Sequence, residues 1–159
     1  DRKVYTDSAT AEYKGKYKTL GSILQDEKNV PAEFFIPKEE LEKWVYHKGG
    51  KKEERTASNG HVYHYSEGPV TFPDALDRAS RTIITGEGGK GPSRFKHVVE
   101  TPSGRLRRLP PVELERLNMF PENHTEGATD SKRAFFMGNA LVVGVVKGLA
   151  NSLSKYSDK

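Results

Sequence analysis

The sequence predicts an α+β chain: a small, irregular, β-rich region with short helices, followed by helices at the carboxy terminus. Three observations predict it. Short β-like stretches at residues 60–65, 81–85 and 94–99 are separated by turn residues such as Gly68, Pro69, Pro73 and Asp74. A proline pair, Pro110 and Pro111, then opens a helix. After Asn139 the residues Leu141, Val142, Val145, Val146, Leu149 and Leu153 recur on one helical face.

The elements follow in order. Residues 1–18 are polar, with Tyr5, Tyr13 and Tyr17 at no fixed period, and read as a tail or loosely packed lead-in. Leu20, Ile23 and Leu24 suit one helical turn. Pro37 introduces a helix over 38–47 in which Leu41, Trp44 and Val45 share a face. The charge run from Lys48 to Arg55 reads as a solvated loop. Further on, basic and apolar residues alternate over 105–109. Pro111 stands at the first helical position, with Glu113 in the first turn and Leu114 and Leu117 as the buried stripe, and the helix stops before Pro121. A polar loop leads to Asn139, read as the N-cap of the last helix. Gly144 and Gly148, four apart, leave a strip where another backbone can approach, and that helix is too apolar to stand alone.

Composition bounds what the chain can do. At 159 residues it has room for one domain or a little more. The formal net charge of +4 favours an anionic partner without requiring nucleic acid. No cysteine is present, so disulfides, thiolate metal sites and a cysteine nucleophile are excluded within these residues. The longest apolar run, 140–146, falls short of the roughly 20 residues that cross a bilayer. The chain begins at Asp1, without methionine or a signal-peptide pattern, and so reads as a piece of a longer protein.

Gly86, Gly88 and Gly91 satisfy the spacing of a dinucleotide-binding loop. Such a loop must open a helix whose amino terminus faces a pyrophosphate, and here Pro92 and a strand-like stretch follow instead. His61 and His64 alternate across a strand and cannot share a metal, while His47, His97 and His124 are isolated. The informative group is a hairpin of 81–85 and 93–97 around the glycine-rich loop. Gly88 and Gly89 let backbone amides approach a phosphate; Lys90, Arg94 and Lys96 bring charge; Thr82, Thr85 and Ser93 bring hydroxyls. This suits a loop on a nucleic-acid backbone, with an arginine reaching guanine. It equally suits a mobile, solvated hairpin.

A resemblance decides between them. Arg107, Leu109 and Pro110, then Glu113, Arg116 and Leu117, then the pair Phe120 and Pro121, resemble the ninth conserved motif of the DNA cytosine-5 methyltransferases. Gly138, Asn139, Ala140 and Leu141 resemble the tenth. Upstream, Thr82 and Ile83 beside the glycine-rich loop are similar to the family's target-recognition region. Together the resemblance spans Thr82 to Leu153. Met119 stands where many members have glycine, and Pro110 where threonine or histidine is usual.

The resemblance implies a target-recognition region over 1–98 and, over 99–159, a carboxy-terminal segment whose helices complete an α/β methyltransferase domain. In that family a cysteine adds to C6 of a cytosine flipped out of duplex DNA, a glutamate holds the base, and S-adenosylmethionine donates a methyl group to C5. The cofactor loop, nucleophile and glutamate precede this region, so the implied partner besides double-stranded DNA is an amino-terminal catalytic half, in the same chain or a separate subunit. Asn139 and Ala140 are then expected to close the cofactor pocket. Thr82 is expected to hold a phosphate beside the flipped nucleotide, and Thr85, Gly88, Gly89, Lys90, Arg94 and Lys96 to meet bases and backbone. Glu113, Arg107 and Arg116 are expected to be structural. A bacterial or phage restriction-modification enzyme of the cytoplasm is implied, with no membrane and no metal. The alternatives are a stand-alone DNA-binding module, which leaves the last helix without a partner, and a protein-interaction fragment, which leaves the paired motifs unexplained.

Overall fold

The computed structural model describes residues 2–8, 10 and 15–157; Asp1, Tyr13 and residues 158–159, named in the expectations above, lie outside these. Tyr5 and Tyr17 are exposed, and the described residues of the lead-in form no helix or strand. From Leu20 the chain makes short 3-10 turns at Gly21–Ile23, Glu27–Asn29, Ala32–Phe34 and Lys38–Glu40. Pro31 and Pro37 stand just before two of them, each at φ −59°, the angle their rings impose. The last turn runs into α1, Leu41–Lys48, which buries Trp44 completely.

Two expectations are corrected in this region. The charged stretch after Lys48 is not a loop: β1, Lys51–Thr56, pairs antiparallel with β2, Val62–Glu67. Cross-strand partners make the charges compatible with a strand, since Lys51 faces Glu67 and the Arg55 guanidinium lies 3.6 Å from the centre of the Tyr65 ring. Lys48 is buried, its ammonium donating to the Lys96 carbonyl. Conversely, residues 81–85 form no strand and no hairpin with 93–97. The second sheet is only β3, Val98–Glu100, with β4, Leu106–Arg108. Ile83, Ile84 and the flanking threonines carry strand propensity, but their backbone is drawn across a later helix, and packing overrides propensity.

The proline-opened helix is α2, Pro111–Leu117, with Pro111 at its start and Leu114 buried, as the pattern predicts. Residues 130–139, expected to lie largely in a loop, form α3, Asp130–Asn139, whose N-cap Thr129 accepts from the Lys132 amide. Asn139 is therefore the last residue of α3 and not an N-cap: its side-chain amide donates back to the Phe135 carbonyl at 3.0 Å. After Ala140, Leu141 and Val142 the chain re-enters a helix as α4, Val143–Ser157. The stretch Asp130–Lys155 is long and apolar enough by length and composition to cross a bilayer, which the shorter run 140–146 concealed. Its backbone leaves the helix between α3 and α4, and α3 buries Ala134 and Met137 in the core.

The core gathers Leu20, Ile23, Val99, Leu109, Leu114, Ala134 and Met137. Residues on both sides of the expected boundary at 98/99 contribute, and β3 runs through it. Around this apolar centre lie buried ionic groups. Arg107 and Glu113 form a bidentate pair with both contacts at 2.8 Å, and Glu113 also accepts the Gln25 amide at 2.9 Å. Glu115 takes Arg133 and Thr125. Arg116 is different: it bonds the Ile23 carbonyl and the exposed Glu122.

Candidate functional site

The glycine-rich segment is an ordered loop laid against α3. A Cβ on Gly88 would stand 2.9 Å from the Ser131 Cα, so only glycine allows this approach, and Gly89 has φ +84°. Its carbonyls are held from beneath: Lys96 Nζ donates to Gly89 and Gly91 at 3.0 and 2.7 Å, and Arg108 donates to Gly89 at 2.8 Å. Burial, then the neighbouring Arg108, push the Lys96 ammonium below the usual lysine range. Glu87 turns inward and accepts from the buried His97 at both its backbone amide and Nδ1. Lys90 stays exposed above the loop. Arg94 is drawn back to the protein, to Glu67 at 3.0 Å and to the Gly49 and Gly68 carbonyls. Of the cations expected to contact DNA, Arg94 and Lys96 thus hold the chain's own backbone, and Lys90 is free to reach outward.

Beside the loop lies a cleft of roughly 400 Å³. Residues 79–83 form one wall and Asn118, Met137, Gly138, Ala140 and Val142 the other. Thr82 and Ala140, taken from separate sequence motifs, line it together; Thr85 and Asn139 are exposed and stand outside its lining. The walls meet at Gly138, where a Cβ would come within 2.4 Å of the Thr85 nitrogen. The junction of α3 and α4 is held to α2 by Asn118, whose Nδ2 donates to the Met137 carbonyl at 2.7 Å and whose carbonyl accepts the Val143 amide at 2.9 Å.

Sequence reasoning missed the clamp that sets the wall bearing Thr82. Asp74 receives Arg81 through both oxygens, at 2.6 and 3.1 Å, and the Val98 amide at 2.8 Å. Burial alone raises the Asp74 carboxyl, but Arg81 and that amide outweigh it and hold it below the usual range. Arg81 also donates to the carbonyls of Phe95 and Lys96. Ser80 sits 2.9 Å from His97 Nε2, so a buried chain links Ser80, His97 and Glu87 to the glycine loop. No local spacing announces these partners, which are brought together only by the fold. Among the described residues no group of three His, Cys, Asp or Glu side chains could hold a metal ion.

The backbone of Ile84 and Thr85 lies directly on Gly138, at the end of α3. The family description "C-5 cytosine-specific DNA methylase" matches residues 3–155. The chain belongs to the C-5 cytosine-specific DNA methylase family. It is 40% identical over 137 residues to Type II methyltransferase M.Sau3AI of Staphylococcus aureus, covering 86% of this chain and 32% of that protein. The chain therefore spans about a third of the length of that relative. No solved structure matches it. The methylase match begins far upstream of Thr82, where the recognisable motifs began. Met119, where the motif resemblance leads to an expectation of glycine, has φ +62°, a backbone region that glycine enters without strain. Its thioether covers Gly144 at the start of α4.

Proposed function

We propose that this chain is the target-recognition and closing segment of a DNA cytosine-5 methyltransferase of a restriction-modification system, acting on duplex DNA in the bacterial cytoplasm. The observation that carries the reading is the seating of the Ile84–Thr85 backbone on Gly138, which couples the recognition segment to the edge of the cofactor pocket. Thr82 and Thr85 present exposed hydroxyls, and Lys90 an exposed ammonium, toward DNA phosphates. Gly89 leaves room for the DNA backbone, while Gly88 seats the loop on α3 and Lys96 and Arg94 keep the loops in shape.

S-adenosylmethionine, when bound, supplies the methyl group. The residues here fit one edge of its pocket: Ala140 and Val142 form a narrow surface beside Ile83 and Leu117, with Asn139 next to it. Asn139 ends α3, and its role in this proposal is to direct residues 140–142 along the pocket. The nucleophile and the base-holding glutamate come from the amino-terminal catalytic half. That half also covers α4, whose Leu149 and Leu153 are 61% and 68% exposed. A stand-alone DNA-binding module would leave that face in water.

The test is duplex binding by this chain as salt is raised. Several phosphate contacts predict a log-log fall of affinity with salt, with a slope near −0.9 per phosphate neutralised. Affinity independent of salt would contradict the phosphate-contact reading.

A further inference from the structure

The hairpin of β1 and β2 projects from the molecule. It is two strands wide and closed by a tight turn at 57–61; one face is exposed, and the other is half-buried at Lys51, Glu53, Tyr65 and Glu67. An isolated two-stranded ribbon is marginal in water, so what holds this one matters. Its base is fastened by Arg94: the guanidinium bonds the Gly49 carbonyl just before β1, the Gly68 carbonyl just after β2, and the Glu67 carboxylate within β2. Lys48 adds a second tie, through its ammonium to the Lys96 carbonyl and its own carbonyl to the Val70 amide. The ribbon therefore leaves the body in a set direction, from the segment that also secures the glycine loop.

Its two faces differ. On one, the side chains are partnered: Lys51 lies 4.0 Å from Glu67 and over the Tyr46 ring of α1, Arg55 lies 3.0 Å from Glu53, and Arg55 stacks on Tyr65. On the other, Lys52, Glu54, Thr56, His64 and Ser66 bear donors and acceptors with no partner among the described residues. Val62 is the apolar member of that face, so it is poorly suited to bind an apolar protein surface. Alternate residues of a strand are about 6.8 Å apart, close to two base-pair steps of about 3.4 Å each. Six residues reach about 20 Å, and the major groove is wide enough for a two-stranded ribbon.

We infer that the β1–β2 ribbon enters the major groove and that its Lys52–Thr56–His64 face reads base edges, with Arg94 as its anchor and not as a reader. This deepens the DNA reading above and rests on it. The experiment selects preferred sites for the chain from a randomised duplex library, then maps guanine N7 methylation interference on them. The variant K52A/T56A/H64A alters one face, and Y63S, on the opposite face, is the control; far-UV circular dichroism checks that both fold.

The face variant should keep salt-dependent binding, lose about tenfold or more in preference at two or three adjacent base pairs, and lose interference there, while Y63S keeps both. Unchanged preference and interference in the face variant would overturn the inference and leave the DNA reading intact. Equal loss in both variants would also overturn it, since ribbon integrity and not this face would then matter. If the unaltered chain shows no salt-dependent duplex binding, the DNA reading itself fails, and the ribbon's role with it.

Discussion

At the scale of single residues, the buried ions decide how the fold responds to pH and substitution. Glu113 is fully buried and bonded to Arg107 and the Gln25 amide. Glu113→Ala leaves an uncompensated guanidinium and should cost about 3–5 kcal/mol, read from urea unfolding. Lys48 behaves in the opposite sense. Burial, then the nearby Arg81, lower its pKa from 10.5 to about 8. Between those values the unfolded chain binds more protons, so this group makes stability rise with pH from about 8 to about 10.5. Lys48→Met should flatten that rise in urea titrations at pH 8, 9 and 10. The lowered Asp74 carboxyl contributes stability that is present above the ordinary carboxylate range of about pH 4 and lost as pH falls through its folded value. Asp74→Asn should remove part of the acid-induced loss.

Among the elements, glycines mark where backbones meet. Gly138→Ala places a Cβ against the backbone of Ile84 and Thr85, which cannot swing away as a side chain would. The cost should be about 1–3 kcal/mol or more in thermal unfolding, with the Thr82 segment displaced. Gly148 meets nothing within 4 Å, so Gly148→Ala should stabilise α4 in this chain by about 0.5–1 kcal/mol, visible as added helicity. These contrasts also show what could be read from the sequence. The helices at Leu41 and Pro111 were legible, and so in part was the strand expected at 60–65 and found at Val62–Glu67, because apolar spacing and prolines are local signals. Beta-branched residues at 81–85 misled, because a contact with a distant glycine sets their path. The charges of β1 misled because their partners lie on the other strand. Asn139 misled because a helix ends, and does not begin, at a residue suited to either role. The cleft's constituents Thr82 and Ala140 were legible through motif resemblance, while the clamp of Asp74, Arg81 and His97 had no signal short of the fold.

For the whole molecule, the segments before and after residue 98 pack around one core, and α4 is left with an apolar face in water. Burying a large apolar side chain contributes on the order of 1.5–3 kcal/mol, so that face can drive association with a complementary surface. The chain spans about a third of its relative, and it carries no cysteine to act as the nucleophile. On the proposed reading, the chain therefore acts together with a catalytic half, and the central claim is tested on the two parts combined. The direct measurement is transfer of a labelled methyl group from S-adenosylmethionine to duplex DNA when the two parts are produced together, with the product base identified after digestion. The account predicts no transfer by this chain alone, and 5-methylcytosine once the catalytic half is added. Associated, folded halves that bind DNA and S-adenosylmethionine yet leave cytosine unmodified, or that methylate adenine, would contradict it.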